Sequence, residues 1–182
     1  MRTPATRLSL IVLVALLLLL AGCGGGGDDE QGNGRKVKAN ETDMAFATDM
    51  LTHHEHGIDA ADLARTRARA PVIRRSAREL IQLQAVEVQV LRTVRQVLSA
   101  AGVEKGDLGV PQTTPDAGEL RRAEDFDRAY ADAMIAHQEA AIRMSAVERR
   151  EGVHEELRRM AGDITDLARF QIEQLERWRS RS

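Results

Sequence analysis

The sequence repeats itself over most of its length. Shifting the chain by 84 residues aligns 43–91 with 127–175 without a gap, and 13 of the 49 aligned pairs are identical. Each copy contains two stretches whose apolar residues recur at helical spacing, so each copy predicts a helical hairpin. Two hairpins have four apolar stripes, and a four-helix bundle with pseudo-twofold symmetry buries all of them. We therefore predict an all-α four-helix bundle with repeats at about 43–101 and 127–180.

Local signals divide each copy into helices. We predict helices over about 41–69, 72–101, 117–150 and 154–180. Asn40 is a suitable N-cap, Pro71 interrupts the first hairpin, Gly102 ends its second helix, and Gly152 interrupts the second hairpin. Aromatic residues make up only 3% of the chain, which also favours helices because strands draw on aromatic and β-branched residues.

The N-terminus has the pattern of an export signal. Arg2 and Arg7 precede an apolar run over 8–20, which is short for a membrane span, and Leu20-Ala21-Gly22-Cys23 follows. This order predicts a lipoprotein signal peptide at 1–22 and acylation of Cys23, the single cysteine. A Gly-rich and polar tether at 23–40 then leads to a folded domain at 41–182. The alternative is a plain signal peptide with an incidental cysteine.

These features predict an exported protein, anchored to the outer face of the cell membrane or in the periplasm by its lipid. The formal net charge of -2 gives no electrostatic basis for binding nucleic acid. No serine lies in a recognisable nucleophile setting, the one cysteine is assigned to the anchor, and no enzyme activity is predicted. A protein partner and self-association into a homo-oligomer stay open.

Each copy carries a Met-x-x-His pair, and histidines cluster around the first. Side chains three or four residues apart share a helix face. In the first copy Met50 lies one turn before His53 and His54, and in the second copy Met134 lies one turn before His137, with Met144 two turns further along. Imidazole combined with soft thioether sulfur favours copper, particularly Cu(I). The candidate metal ligands are therefore Met50, His53, His54, Met134, His137 and Met144, followed by the less favoured Asp49, Glu55 and His56.

Other interpretations compete with a copper site. Methionines on an apolar stripe are ordinary core residues, and the domain would then be a non-catalytic structural or partner-binding module of the cell envelope. A ferritin-like oxidoreductase needs at least four carboxylate ligands converging in the bundle core. The only Glu-x-x-His pair, Glu151 to His154, spans the predicted break at Gly152, so this spacing argues against an oxygen-rich iron site.

The repeated segments also resemble a known family. Met50-Leu51-Thr52-His53-His54-Glu55 and Met134-Ile135-Ala136-His137-Gln138-Glu139 are similar to the Met-Ile-Pro-His-His-Gln signature of the DUF305 family. The resemblance implies a ferritin-like four-helix bundle, usually exported, and copper binding through Met and His in some members. Thr52 and Ala136 replace the signature proline, Glu55 replaces the glutamine, and Gln138 replaces the second histidine of the second copy. Any metal site is therefore expected to be lopsided and centred on the first hairpin.

Overall fold

A computed structural model describes residues 37–182 of the chain. It contains five helices, namely α1 (Glu41–Arg67), α2 (Pro71–Ala100), α3 (Ala117–Arg122), α4 (Phe126–Glu151) and α5 (Glu155–Arg179). The predicted signal peptide, Cys23 and the tether up to residue 36 lie outside the described residues. None of the helices between residues 37 and 182 has the length and apolar character needed to cross a membrane.

The four long helices form the predicted bundle of two hairpins. α1 packs along α2 and α4 packs along α5, and the two hairpins meet mainly through α1 and α4. The contact between α2 and α5 is much smaller. The prediction of an all-α, ferritin-like four-helix bundle is confirmed.

The predicted helix over 117–150 is two helices. α3 ends at Arg122, Ala123 takes an extended conformation as its C-cap, and α4 begins after Asp125, whose side chain accepts the Arg128 N–H. A side chain that accepts this N–H starts a new helix, since the first-turn amides of a helix have no intrahelical partner. The other breaks fall where they were predicted, with Pro71 in the first turn of α2 and Gly152 as the C-cap of α4.

A layer of polar side chains divides the core into two apolar clusters. The first cluster includes Leu51, Leu91 and Ala141, and the second includes Ala60, Leu80 and Ile135. On each of the four long helices, one segment packs in the first cluster and another in the second, and buried polar or small residues lie between the two segments. We call the following buried residues the polar layer: His53, His54, Gln84, His137, Gln138 and Gln171.

Each hairpin has one aspartate that accepts hydrogen bonds from the turn of the other hairpin. Asp43, at the start of α1, accepts the backbone N–H groups of Val153 and His154 in the α4–α5 turn, with its Oδ1 3.0 and 2.9 Å from the two nitrogens. Its repeat equivalent Asp127, at the start of α4, accepts the N–H groups of Arg69 and Ala70 in the α1–α2 turn. The paired contacts obey the same offset as the sequence repeat, so the pseudo-twofold symmetry extends to individual hydrogen bonds.

The contact made by Asp43 includes an additional acidic side chain, Glu148. The Glu148 carboxylate is fully buried against Gly152 and beside the Asp43 carboxylate. Within residues 37–182 neither of its oxygens has a hydrogen-bond partner in good geometry. Burial, and then the Asp43 carboxyl, raise the pKa of Glu148 to about 8, while Arg158 acts in the opposite direction. The repeat equivalent of Glu148 is Ala64, so the contact made by Asp127 lacks this acidic side chain.

Candidate metal centre

The equivalent histidines of the two copies meet in the middle of the bundle. His53 on α1 and His137 on α4 are fully buried, and their rings stack with centroids 3.7 Å apart and planes 5° from parallel. Pseudo-symmetry brings them together because each occupies the same position on one of the two helices that join the hairpins. The histidines of the two Met-x-x-His segments therefore lie face to face.

Four of the six ring nitrogens of the buried imidazoles lack a hydrogen-bond partner among the described residues. His137 Nδ1 lies 3.2 Å from the Thr113 carbonyl oxygen. A carbonyl only accepts, so Nδ1 carries the proton and Nε2 keeps its lone pair. Among the described residues, His137 Nε2, both ring nitrogens of His53 and Nδ1 of His54 have no partner, whereas His54 Nε2 lies 2.9 Å from Glu87 Oε2. Buried polar atoms are normally paired, so four unpaired nitrogens in one layer indicate a site for a ligand or a water.

The protein holds the stacked rings neutral. Burial, followed by the neighbouring histidines, lowers the pKa of His53 to about 2. Burial lowers the pKa of His137 to about 3, against the raising effect of the hydrogen bond to Thr113. A neutral imidazole is the form that binds a metal, so both side chains are in a ligating protonation state at neutral pH.

The stack itself is not a chelating geometry. An imidazole lone pair lies in the ring plane, so one ion cannot lie in the planes of two parallel rings stacked face to face. At least one of the two rings must rotate before His53 and His137 can share an ion. In agreement, residues 37–182 contain no group of three His, Cys, Asp or Glu side chains that could hold a metal as they stand.

The methionines are divided between the two sides of the polar layer. Met50 and Met144 are fully buried together in the first apolar cluster, whereas Met134 is buried in the second. The side chain of Gln112 donates to Met144 Sδ at 3.6 Å. The repeat equivalents Met50 and Met134 therefore do not come together, and the non-repeated Met144 accompanies Met50 instead.

Sequence reasoning missed two further methionines on that side. Met44 is buried in the first apolar cluster and Met160 packs against it. Neither has a methionine at the equivalent repeat position, where Arg128 and Ser76 stand, so the duplication did not mark them. Four thioether side chains consequently belong to the first apolar cluster or pack against it.

His54 points to a different part of the layer. Its Nε2 lies 2.9 Å from Glu87 Oε2 on α2. The repeat equivalents of these two residues are Gln138 and Gln171, and there the Gln138 amide nitrogen donates to Gln171 Oε1. One copy thus has an imidazole with a carboxylate, and the other has a neutral amide pair in the same place.

A small cavity lies where these two pairs face each other between α2 and α5. Its volume is about 10 Å³, near the lower limit for one water. Its polar lining consists of His54, Gln84, Glu87, Gln138 and Gln171, and Ile164, Leu167 and Ala168 complete it. All four long helices therefore contribute a polar side chain to this cavity.

The less favoured candidates lie at the surface. Asp49 pairs with Lys105 with a 3.1 Å separation, Glu55 pairs with Arg92 at 3.0 Å, and His56 is exposed. Glu139, the repeat equivalent of Glu55, is likewise exposed and lies 4.0 Å from Arg143. These side chains do not join the polar layer.

The long connection between α2 and α3 covers the candidate ligands. Gly106 N–H donates to the Glu41 carbonyl, and Leu108 is buried in the first apolar cluster. Gln112 and Thr113 then reach Met144 and His137, respectively. The connection thus supplies partners to two candidate ligands and separates them from solvent.

Comparison with known proteins places this arrangement in a family. Residues 43–179 match the sequence profile of DUF305, a domain of unknown function. The structure is similar to that of CopM in its Cu(II)-bound form, with a TM-score of 0.68, 26% identity, and coverage of 76% of this chain and 96% of CopM. It is also similar to CopM in its Cu(I)-bound form, with a TM-score of 0.67 and the same identity and coverage. A DUF305 fragment from Deinococcus radiodurans shares the fold with a TM-score of 0.64 and 21% identity, over 79% of this chain and 99% of the fragment. No curated protein sequence matches the chain. The predicted resemblance is confirmed, and the chain belongs to the DUF305 family.

Proposed function

We propose that this protein is an exported lipoprotein that binds copper ions through methionine and histidine side chains in the interior of its bundle. The observation that carries the proposal is the set of buried, unpaired imidazole nitrogens in the polar layer, with four methionines in or against the apolar cluster on one side of that layer. Thioether sulfur is a soft ligand that favours Cu(I), and imidazole suits copper in both common oxidation states. The role is sequestration or delivery, without turnover.

The ligand set that the geometry favours is centred on His53, His137, Met50 and Met144. The two histidines are already in contact, and the two methionines share the apolar cluster on one side of them. Met134 lies on the other side of the polar layer, and His54 lies towards Glu87. These two remain outer candidates.

The similarity to CopM supports this proposal. CopM has been solved in apo, Cu(I)-bound, Cu(II)-bound and silver-bound forms, with 26 or 27% identity to this chain. Silver(I) and Cu(I) are both soft monovalent ions, which is the class that methionine sulfur prefers.

A Cu(I) titration against a chromophoric chelator tests the proposal. We expect the wild-type protein to compete for Cu(I), and the His53→Asn/His137→Asn and Met50→Leu/Met144→Leu variants to compete at least about tenfold less well. His56→Asn is the matched control, because it removes an exposed imidazole one turn from His53. Equal competition by the wild type and both double variants would refute the ligand assignment.

The second candidate function is a structural or partner-binding module of the cell envelope. The observation that favours it is that Met50, Met134 and Met144 are all packed in apolar clusters, as ordinary core side chains are. It predicts that the double variants retain all biological function, whereas variants that disrupt the apolar clusters lose it.

Lipid attachment at Cys23 is proposed from the sequence alone. A DUF305 protein from Streptomyces coelicolor, proposed to be secreted, has the same fold with a TM-score of 0.64 and 20% identity. Incorporation of a labelled fatty acid into the wild type, and its loss with release of the protein from the membrane fraction in Cys23→Ala, would support the anchor. Unlabelled wild-type protein in the soluble fraction would contradict it.

A further inference from the structure

The outer face of α2 carries no charge along most of its length. Every exposed residue between 82 and 100 is uncharged, although 30% of the residues in the chain are charged. The charged side chains of Glu87 and Arg92 contact residues of α1 instead, and Arg95 is partly buried. Val86 and Val97, which are 38% and 46% exposed, lie on this face. The face therefore has the composition of a protein interface, whose centre is depleted of charge.

The exposed residues of this face form a straight seam along the helix. Two series of residues, each with a spacing of seven, alternate along it; they are Gln82, Gln89 and Gln96, and Val86, Thr93 and Ala100. Steps of four and three residues are the spacing at which one helix packs along another in a coiled coil. A side-chain amide both donates and accepts hydrogen bonds, so the glutamine series is complementary to a second copy of itself.

We propose that this seam, which we call the α2 seam, is the interface of a homodimer. In this dimer two copies of α2 pack antiparallel about a twofold axis near Gln89, and Gln82 of each copy lies opposite Gln96 of the other. A closed, isologous contact of this kind is the commonest arrangement of soluble oligomers. The proposal does not depend on copper binding, because the α2 seam contains none of the candidate metal ligands.

The second hairpin shows that the fold does not require an uncharged outer face. At the repeat offset of 84, four exposed residues of the α2 face correspond to exposed charged residues of α5. In order along the chain, the pairs are Gln82 and Asp166, Ala85 and Arg169, Gln89 and Glu173, and Thr93 and Arg177. Both helices occupy the same place in their hairpins, so the absence of charge on the α2 face is a property of that surface and not of the bundle.

The ends of α2 favour the antiparallel orientation. Each of α1, α4 and α5 has an acidic residue in its first turn and a basic residue in its last turn, whereas α2 has neither. Such residues offset the partial charges of the helix dipole. In an antiparallel pair the positive N-terminal end of each α2 lies beside the negative C-terminal end of the other copy, which supplies the missing compensation. A parallel pair would place like ends together.

The exposed charges beyond the two ends of the α2 seam are also complementary. The segment 74–79 has three arginines and one glutamate, and the segment 104–107 has two acidic residues and one lysine. Arg75 lies 14 residues before Gln89 and Glu104 lies 15 residues after it, and both are exposed. An antiparallel pair centred near Gln89 therefore places Arg75 of each copy near Glu104 of the other, about 20 Å from the axis at the helical rise.

Cross-linking of the full-length protein in cells that express it tests the dimer. A short, membrane-permeable bismaleimide should join copies of the Gln89→Cys variant, because the axis brings these two side chains together. Glu173→Cys is the matched control, since Glu173 is the exposed repeat equivalent of Gln89 on α5, and its copies should be joined several times less often. The wild type, whose single cysteine is Cys23, gives the background.

Two further cysteine variants measure the orientation. Chains with Gln82→Cys should cross-link to chains with Gln96→Cys when the two are expressed together. Chains with Gln82→Cys alone should not cross-link, because their two cysteines would be about 20 Å apart along an antiparallel pair.

Charge reversal separates specific pairing from chance collision. In the Gln89→Cys protein, Arg75→Glu should lower the cross-linked fraction several-fold, because it places like charges together. Addition of Glu104→Arg should restore the cross-linked fraction. Both positions are exposed, and helical circular dichroism of the purified variants checks that they fold.

Several results would overturn the proposal. Equal cross-linking of Gln89→Cys and Glu173→Cys would refute the interface, as would a Gln89→Cys product that contains another protein in place of a second copy. Cross-linking of Gln82→Cys chains with one another, at the level of the mixture with Gln96→Cys, would refute the antiparallel arrangement. A cross-linked fraction that Arg75→Glu leaves unchanged would refute the pairing at the ends. Each of these outcomes leaves the copper proposal unaffected, since that proposal is tested by Cu(I) competition.

Discussion

Replacing Glu148 by glutamine should change how the stability of the bundle depends on pH. Glu148 is fully buried beside Asp43, and its pKa is raised from 4.5 to about 8. The unfolded chain releases this proton near its ordinary pKa, while the folded chain holds it until about pH 8. Over that range the folded state binds more protons than the unfolded state, so its stability falls as pH rises.

The magnitude follows from the shift in pKa. Each unit of difference between the folded and unfolded pKa corresponds to about 1.4 kcal/mol. Between about pH 5 and about pH 8 the contribution of Glu148 to the free energy of unfolding should therefore decrease by about 4 kcal/mol. Glutamine has the same shape, remains neutral, and can donate its amide N–H to the Asp43 carboxylate. The Glu148→Gln variant should match the wild type near pH 5 and be several kcal/mol more stable near pH 8, with about 4 kcal/mol as the upper estimate.

Urea unfolding followed by helical circular dichroism at several pH values measures this difference. The difference between variant and wild type isolates Glu148, because every other titrating group is common to both proteins. Glu139→Gln is the matched control, since Glu139 is an exposed glutamate on the same helix, and it should not alter the pH profile. The same slope in Glu148→Gln and in the wild type would refute the reasoning, as would lower stability of the variant at high pH.

Three other perturbations have defined outcomes. The pKa values of His53 and His137 are lowered to about 2 and about 3, so below the ordinary value of about 6.5 only the unfolded state binds these protons. The free energy of unfolding should therefore fall by about 1.4 kcal/mol per histidine for each pH unit below that value. Urea midpoints that stay constant on acidification would contradict this. Gly57→Ala should lower the melting temperature although alanine favours helices, because a Cβ at that position would lie 2.6 Å from His137 Nε2 and 2.7 Å from Gln84 Oε1. We expect this overpacking to cost about 1–3 kcal/mol of stability. A higher melting temperature of the variant would disprove the close packing. Asp127→Ala removes the acceptor of the Arg69 and Ala70 amides and should cost about 2 kcal/mol in urea unfolding, whereas an unchanged midpoint would show that those hydrogen bonds contribute little.

The duplication made the bundle and its central histidine pair predictable. A gapless offset that includes both helices of each hairpin requires equivalent residues to occupy equivalent places, and His53 and His137 do. The helix break after Arg122 was not predictable from composition, because Ala123, Glu124 and Asp125 are all compatible with a helix. Only the capping contact from Asp125 to the Arg128 amide shows where α4 begins.

The details of the candidate site exceed what spacing can show. Helical periodicity assigns His53 and His137 to the interior, but the torsions that stack their rings depend on three-dimensional packing. The partnership of His54 with Glu87 was hidden for a different reason. Its counterpart is an amide pair, so the repeat conserves the position of the contact and changes its chemistry, and a comparison of identical residues passes over it.

The crosswise contacts of Asp43 and Asp127 describe how such a chain could be assembled from one half. A single hairpin has both an aspartate at its entrance and uncapped amides at its turn, but its own aspartate reaches only the turn of the other hairpin. Two identical hairpins around a twofold axis would satisfy both sets of hydrogen bonds without any covalent connection. The contact pattern of this single chain is thus that of a closed symmetric dimer, and the 101–116 connection makes the association intramolecular.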